Sequence, residues 1–449
     1  MNRNWYLLGV ALLLAAIIFH QPLLAVLAFI LEVMIGAIDV WDKFCLRDIQ
    51  LQRHLSEQKA LFGEQLTLSL SIENAKLLPL PWVEVEERIP ESLGLSDQYL
   101  GLKSQSNAHV LETLFSLRWY ERVTRRYRFT CAVRGVHTFG PTLIRSGDLF
   151  GFISHEQTFE KYTYLLVYPL ILPLARFGLP SRHPFGMRRA PRRLLEDPSR
   201  VIGVRDYQFG DDLRRVHWKA SARSMQLQSK IYEDTTTYNL LLFLNMVTKV
   251  ESHYGVSPEL EELGICVAAS IAEWALNEGY AVGLHANSIM SRPEEGLYGI
   301  LEEAVTTNEH LEHTENLQET VFTLIRNRRV HLTPASSEEQ RRRIMETLAR
   351  IQSYFGSNIE AILEAERRKM PVGTTVVVIT PTLGDKLLDT LLKIGRSGHT
   401  VTILLLGDRI IPMKLPGITF YNVGGEETWR ELVKEYLKTG SSNSPGFKL

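Results

Sequence analysis

The sequence predicts a multidomain protein: an N-terminal transmembrane helical hairpin, a β-sandwich-like domain, and then an α/β domain built on a parallel sheet. Three observations predict it. From Trp5 to Val40 the chain is apolar apart from His20, Gln21, Glu32 and Asp39, more than one span of about 20 residues requires. From residue 47 towards 170, apolar and polar residues alternate in several short runs, the period of half-buried strands. Beyond residue 235, short apolar runs alternate with stretches of helical periodicity, which implies a mostly parallel sheet covered on both faces. The expected segments are 1–45, 46–170, a linker over 171–235, 236–439 and a disordered tail over 440–449.

In the first segment the break is His20-Gln21-Pro22, where proline removes a backbone donor. Spans over Trp5–Phe19 and Leu23–Val40 follow, so the lipid bilayer is the expected partner of residues 5–40. A signal peptide is the rival reading, opposed by the second apolar run and by the lack of a small-x-small cleavage site. Arg3 precedes the spans and Lys43, Arg47 and Arg53 follow them, while the turn carries no Lys or Arg. The positive-inside rule then places both ends and all later domains in the cytoplasm, on the inner face of the membrane. Glu32 lies within the second span, where a carboxyl group is costly and needs a partner or helps helices associate.

Leu66, Leu68, Leu70 and Ile72 alternate with polar or small neighbours, as do Leu111, Thr113, Phe115, Leu117 and Trp119, and Tyr127, Phe129, Cys131 and Val133. Pro79, Pro81, Pro90, Gly135 and Gly140 punctuate these runs, the pattern of an antiparallel sandwich. No nucleophile, base or ligand set clusters there, so packing and presentation are its expected roles.

Lys plus Arg number 50 against 51 for Asp plus Glu, which leaves no global field for nucleic acid. Local charge is different. Arg182, Arg188, Arg189, Arg192 and Arg193 make the proline-rich linker basic, and beside a membrane this points to anionic headgroups; pairing with nearby acidic surface is the plain alternative. With no interleaved aromatic platform, nucleic acid is not expected as a partner. Cys45, Cys131 and Cys266 are far apart and odd in number, suggesting neither a disulfide framework nor a zinc site.

Gly203–Arg223, GVRDYQFGDDLRRVHWKASAR, concentrates Arg, Asp, His, Trp and Lys. Such groups build charge-assisted and cation–π contacts on a docked surface. Gly210-Asp211 reads as a turn, and Asp212 as the cap of a helix running through Leu213, Val216 and Trp218 towards Ala222. Asp211, Asp212 and His217 offer an acid–base set, and Arg205, Arg214, Arg215 and Arg223 an anion clamp. However, no glycine-rich phosphate cradle, nucleophile elbow or metal-binding histidine motif accompanies them. A structural clasp or a docking surface is therefore the expected role, and catalysis by this segment the alternative.

The arrangement Gly203, Arg205, Tyr207, Gly210, Asp211, Arg214, Trp218, Ser221, Ala222, Arg223 resembles the signature of the bacterial domain of unknown function 58 family. GEQLTLSLSIEN, LPLPWVEVEERIP and RRYRFTCAVRGVHTFGPTLIRSGDLFGF resemble its β domain, with Leu149 where a proline is more usual. The resemblance implies a von Willebrand factor A-like, Rossmann-type C-terminal domain, and ELGICVAASIAEWALNEGYAVGL is similar to its first helix and second strand. Such domains often hold magnesium through a D-x-S-x-S run. Here the equivalent positions are Asn245, Val247 and Lys249, and a lysine repels the cation, so no metal and no cofactor are expected.

Residue by residue, Tyr238–Leu244, Ala281–Leu284, Thr374–Thr380 and Thr400–Leu406 read as strands. Ile265, Ala268, Ala269, Ala272 and Leu276 mark one helix, ended by Gly279; Lys386–Ile394 is another. Ser336 and Glu339 form a capping box ahead of Ile344, Leu348, Ile351 and Phe355. The polar stretch Arg292–Arg329 suggests an added helical pair around Leu297–Val305 and Leu317–Ile325. The resemblance further implies a partner, a MoxR-type AAA+ ATPase that supplies the ATP chemistry. The expected function is non-enzymatic recognition or assembly; the alternatives are a membrane enzyme acting on an anionic substrate, and an ATPase-independent envelope scaffold.

Overall fold

The computed structural model describes residues 9–12, 14–15, 18–19, 21–90, 92–95, 102–105, 108–148, 153–180, 184–185, 196–209, 211–234, 238–247, 257–290, 329–352, 358–371, 373–407 and 415–439. Among these residues two units are distinguished, one running to Tyr168 and taking in 436–439, the other running from Pro169 to Glu435.

In the first unit, α1 (Pro22–Phe44) starts at the proline that breaks the apolar run, since Pro at the first helical position forfeits only a donor that has no partner there. It is long and apolar enough to cross a membrane. Leu23, Val26, Leu27, Phe29, Ile30 and Val33 are all exposed along it, whereas a core helix of a soluble domain would cover them. Helical turns also occur at Gly9–Leu12 and Leu14–Ala15; the rest of the expected first span falls largely outside the described residues. Glu32 reaches across to Gly9, where an added Cβ would collide with its carboxyl group.

Among the described residues twelve strands follow: β1 (Ile49–Leu55), β2 (Lys59–Ala60), β3 (Gln65–Asn74), β4 (Leu80–Pro90), β5 (Gly94–Leu95), β6 (Leu102–Gln105), β7 (Ala108–Leu117), β8 (Arg122–Thr130), β9 (Gly135–Phe139), β10 (Thr142–Gly147), β11 (Ser154–Phe159) and β12 (Thr163–Val167). They form sheets ordered β1-β3-β8-β5, β11-β10-β4-β7-β6 and β2-β12-β9. The period of two works as read: Leu66, Leu68, Leu70, Tyr127 and Phe129 pack against Ile89, Leu111, Phe139, Leu165 and Val167 in one core. Each such side chain contributes roughly 1.5–3 kcal/mol by leaving water. Trp119 and Val133 do not continue the pattern; both lie beyond the strand ends and are exposed. Cys45, Cys131 and Cys266 are free and buried, and burial pushes the Cys131 thiol up to about 12.

The second unit begins with the segment expected to be a linker, and here the expectation is corrected. β13 (Glu196–Asp206) and β14 (Gln228–Asp234) pair as an antiparallel hairpin, enclosing a 3-10 turn at Leu213–Arg215 and α2 (Trp218–Ser224). The basic residues Arg182, Arg188, Arg189, Arg192 and Arg193 lie outside the described residues, as do 291–328 and the tail from 440.

The α/β part has strands β15 (Asn239–Leu244), β16 (Ala281–Met290), β17 (Arg329–Ala335), β18 (Ile351–Gln352), β19 (Thr375–Thr380), β20 (Thr400–Leu406) and β21 (Ile418–Gly424). The main order is β17-β16-β15-β19-β20-β21, parallel except for the antiparallel edge strand β17. Helices α3 (Pro258–Asn277), α4 (Glu338–Arg350), α5 (Ile359–Arg367), α6 (Asp385–Arg396) and α7 (Glu426–Thr439) connect or follow them. On one face Leu241, Phe243, Val376, Val378 and Ile403 pack beneath Ile359 and Leu363 of α5 and Leu387, Leu391 and Ile394 of α6. On the other, α3 comes close at Gly264, where an added Cβ would lie 3.0 Å from Leu406 Cδ1 and 3.3 Å from Leu244 Cδ1.

The expected capping box is displaced by one residue. Ser337, not Ser336, caps α4, accepting from the Gln340 N–H at 3.2 Å. Gln340 does not reach back to the cap; its Nε2 donates to the carbonyls of Val282 and Thr333, each at 2.8 Å.

Candidate functional site

The signature segment is a small, self-braced surface. Asp211 closes its first turn: Oδ1 accepts from Arg205 Nη2 at 2.7 Å and Oδ2 from the Gln208 N–H at 3.0 Å. Those bonds hold the Asp211 carboxyl below its usual range. Tyr207 donates its hydroxyl to the Asp211 carbonyl at 3.1 Å. Arg205 therefore orders a turn, as a guanidinium with a fixed fork of donors can. Gly210 lies outside the described residues.

The expected single helix from Asp212 to Ala222 is corrected. Asp212 caps only the 3-10 turn, accepting from the Arg214 N–H at 3.0 Å. Val216 then turns extended, is buried, and bridges to Ser229 of β14. Burying that valine against the hairpin breaks the helix, and His217 starts a new one by accepting from the Ala220 N–H through Nδ1 at 3.1 Å. Ser221, the buried residue of α2, locks helix to hairpin: its hydroxyl donates to the His217 carbonyl at 3.1 Å and accepts from the Gln228 N–H at 2.8 Å. Gly203 sits on β13, and Arg214 and Arg223 are exposed.

The side chains without such polar duties point outward. Phe209 is 107% exposed, Met225 89%, Trp218 68% and Leu213 66%. Phe209 and Met225 carried no weight in the sequence reading, and Leu213 only as a residue of the expected helix, because a lone apolar residue among charges gives no periodicity. Only their common exposure marks them.

At the carboxyl ends of the central strands, Asn245 and Val247 occupy the positions compared with a magnesium site. Asn245 donates to Thr380 Oγ1 at 3.0 Å, and its Oδ1 accepts from Asn287 Nδ2 at 2.7 Å and from the Val247 N–H at 3.2 Å. Asn287 in turn accepts from the Met246 N–H at 2.7 Å. Among the described residues these form an uncharged, buried amide network at this edge, and Lys249 lies outside the described residues.

A second polar group escaped the sequence altogether. His285 on β16 and His331 on β17 face each other, Nδ1 to Nδ1 at 3.0 Å, with Glu366 of α5 3.9 Å from His331 Nδ1. Burial, then the neighbouring His331, lowers His285 to about 4. Strand pairing brings these residues together across a wide sequence separation, which no local motif announces.

Residues 203–295 match the family model described as protein of unknown function DUF58. This interval spans the signature hairpin, the first α/β strand and helix, and the strand bearing His285. An uncharacterized protein, YeaD of Bacillus subtilis strain 168, is 27% identical over 241 residues, covering 53% of this chain and 56% of that protein; the chain thus matches little more than half the length of this relative. Among solved structures, the CARDB domain of a Pyrococcus furiosus protein is 10% identical, covering 27% of this chain and 92% of that one at a TM-score of 0.19. A cohesin of Archaeoglobus fulgidus is 12% identical over 26% of this chain and 90% of its own, also at 0.19.

Proposed function

We propose that this protein is a non-enzymatic, membrane-anchored recognition and assembly factor whose signature hairpin docks a protein partner. The observation that carries this reading is the exposure of Phe209, Leu213, Trp218 and Met225 on a hairpin whose Arg205, Asp211, Asp212, His217 and Ser221 side chains are engaged within it. Four large apolar side chains exposed along one short segment make it a candidate contact surface, and aromatic anchors beside arginine are the usual centres of binding energy.

The partner we propose is an AAA+ ATPase of the MoxR type, an expectation that rests on the resemblance of the signature. This chain contains no phosphate-binding glycine loop of its own, so the nucleotide chemistry belongs to the partner. The strand order 3-2-1-4-5-6, counted from β15, supports a von Willebrand A-like, Rossmann-type domain. The Gly9–Glu32 approach supports two spans, and the charge bias supports a cytoplasmic side. Contact of Arg182–Arg193 with anionic lipid belongs to the same proposal.

An enzyme using the Arg/Asp/His set finds less support. His217 Nδ1 caps a helix, Asp211 holds a turn and Asp212 caps another. The test is co-purification of the detergent-solubilised protein from its own cells, wild type beside Trp218→Ala, with thermal melting of both. An ATPase recovered with the wild type and lost with an equally stable variant is the expected result. Equal recovery with both forms would remove the docking surface from this segment.

A further inference from the structure

We propose that His285, His331 and Glu366 form a binding site for one divalent transition-metal ion of the zinc class. The row Phe243, His285, His331 runs laterally across three neighbouring strands, since Phe243 pairs with His285 and His285 with His331 in register. All three therefore project from the same face of the sheet. That is the face α5 covers, with Ile359 and Leu363 packed beside Phe243, and Glu366 lies in the last turn of α5.

The side chains are positioned rather than merely near. His285 is 2% exposed and stacks on the Phe243 ring at 4.9 Å between centroids and 15° between planes. The His331 ring meets it edge-on at 4.7 Å and 61°. One candidate ligand atom from each of His285, His331 and Glu366 lies within 4.8 Å of the other two. Tetrahedral zinc with Zn–N bonds of 2.0–2.1 Å separates its ligand atoms by roughly 3.3 Å. The Nδ1 pair at 3.0 Å and the His331–Glu366 contact at 3.9 Å bracket that spacing, and small rotations of His331 and Glu366 would suffice.

The donor set also suits the ion. Two imidazoles and one carboxylate bind borderline metals such as zinc and cobalt(II), while calcium and magnesium need oxygen donors throughout. One proton lies between the facing Nδ1 atoms; on binding it moves to Nε2 of its own ring, so both nitrogens become ligands without net loss of a proton. Three protein ligands leave a fourth position for water or a partner's side chain. With 46% of the His331 side chain exposed, the ion has a way in. Lys369 competes, its Nζ lying 2.9 Å from Glu366 Oε1.

The experiment uses the full chain in detergent, stripped with chelator and titrated with cobalt(II). One equivalent should give the visible bands of low-coordinate cobalt, displaced by zinc. His331→Ala, at a half-exposed position, and Glu366→Gln, which keeps the size and shape of the side chain, should weaken binding at least tenfold while melting like the wild type without metal. Lys369→Ala should tighten binding several-fold. Absence of cobalt bands in the wild type, or equal affinity in both ligand variants, would overturn the site.

Discussion

Arg53 and Glu87 face each other inside the β domain, Nη2 to Oε1 at 2.7 Å, with 2% and 0% of their side chains exposed. Arg53 also donates to the carbonyls of Phe139 at 3.1 Å and Lys161 at 2.6 Å and to Thr142 Oγ1 at 2.8 Å. Thr142 donates to Glu87 Oε2 at 2.5 Å. One arginine thus ties β1 to the ends of β9, β10 and β12, while burial pushes the Glu87 carboxyl up against the pull of Arg53.

Breaking that pair should be costly in an unequal way. Glu87→Gln leaves a guanidinium that cannot discharge, and should cost about 3–5 kcal/mol where the wild-type carboxyl is ionised, the deficit shrinking as pH falls and that carboxyl takes a proton. Arg53→Met leaves a carboxyl that can take a proton. With its folded-state pKa raised, Glu87 is tolerated below the unfolded value of about 4.3 and penalises the fold as pH rises through the folded value. Melting of Arg53→Met, lowered at all pH by the lost hydrogen bonds of Arg53, should therefore fall further below wild type as pH rises from about 4 to about 8. A deficit independent of pH would contradict the assignment.

His137 gives a second pH effect of opposite sign. Its Nε2 meets the Val133 carbonyl at 2.8 Å and its Nδ1 meets the Ser92 hydroxyl at 2.9 Å. A carbonyl only accepts, so Nε2 carries the proton and Nδ1 accepts from serine. Burial lowers its pKa. Its contribution is thus complete above the unfolded value of about 6.5 and is lost as pH falls through the lowered folded value. His137→Gln should flatten the loss of melting temperature between pH 7 and 5; an unchanged slope would place that sensitivity elsewhere.

How much of this was legible depended on how local the signal was. The alternation from Leu66 to Ile72 and the apolar run Thr400–Leu406 were readable, because burial imposes the strand's own period on adjacent residues. The signature hairpin was not: Asp206 pairs with Gln228 across the whole motif, and a pairing that distant leaves only irregular charge in the sequence between. Val216 broke the expected helix because a tertiary contact outweighed propensity. Ser336 and Ser337 both suit a cap, and the choice fell to Gln340, drawn to Val282 and Thr333. The His285–His331 pair depends on register between strands, which spacing alone does not encode.

Gly9 and Glu32 test the proposed pairing of two spans. If the first apolar stretch packs along α1, Gly9→Cys with Glu32→Cys should cross-link under mild oxidation in native membranes, the natural cysteines being buried. Mass spectrometry of the joined peptides would report it. Shifting the first cysteine to Val10, on another side of the helix, should reduce the yield, and equal yields would argue against specific packing.

Trp218 and Ser221 lie on the same short helix yet should fail differently. Ser221→Ala deprives the Gln228 N–H of its acceptor, a buried loss of about 1–3 kcal/mol, so the hairpin should loosen and nearby amides should exchange faster with solvent. Trp218→Ala removes a side chain that holds nothing in place, so melting and exchange should match wild type. Partner affinity should nevertheless drop at least tenfold, since a docked aromatic anchor is worth 2 kcal/mol or more. Only the pairing of an unchanged fold with lost binding separates a contact surface from a clasp, and Trp218 is the residue where the two roles predict different results.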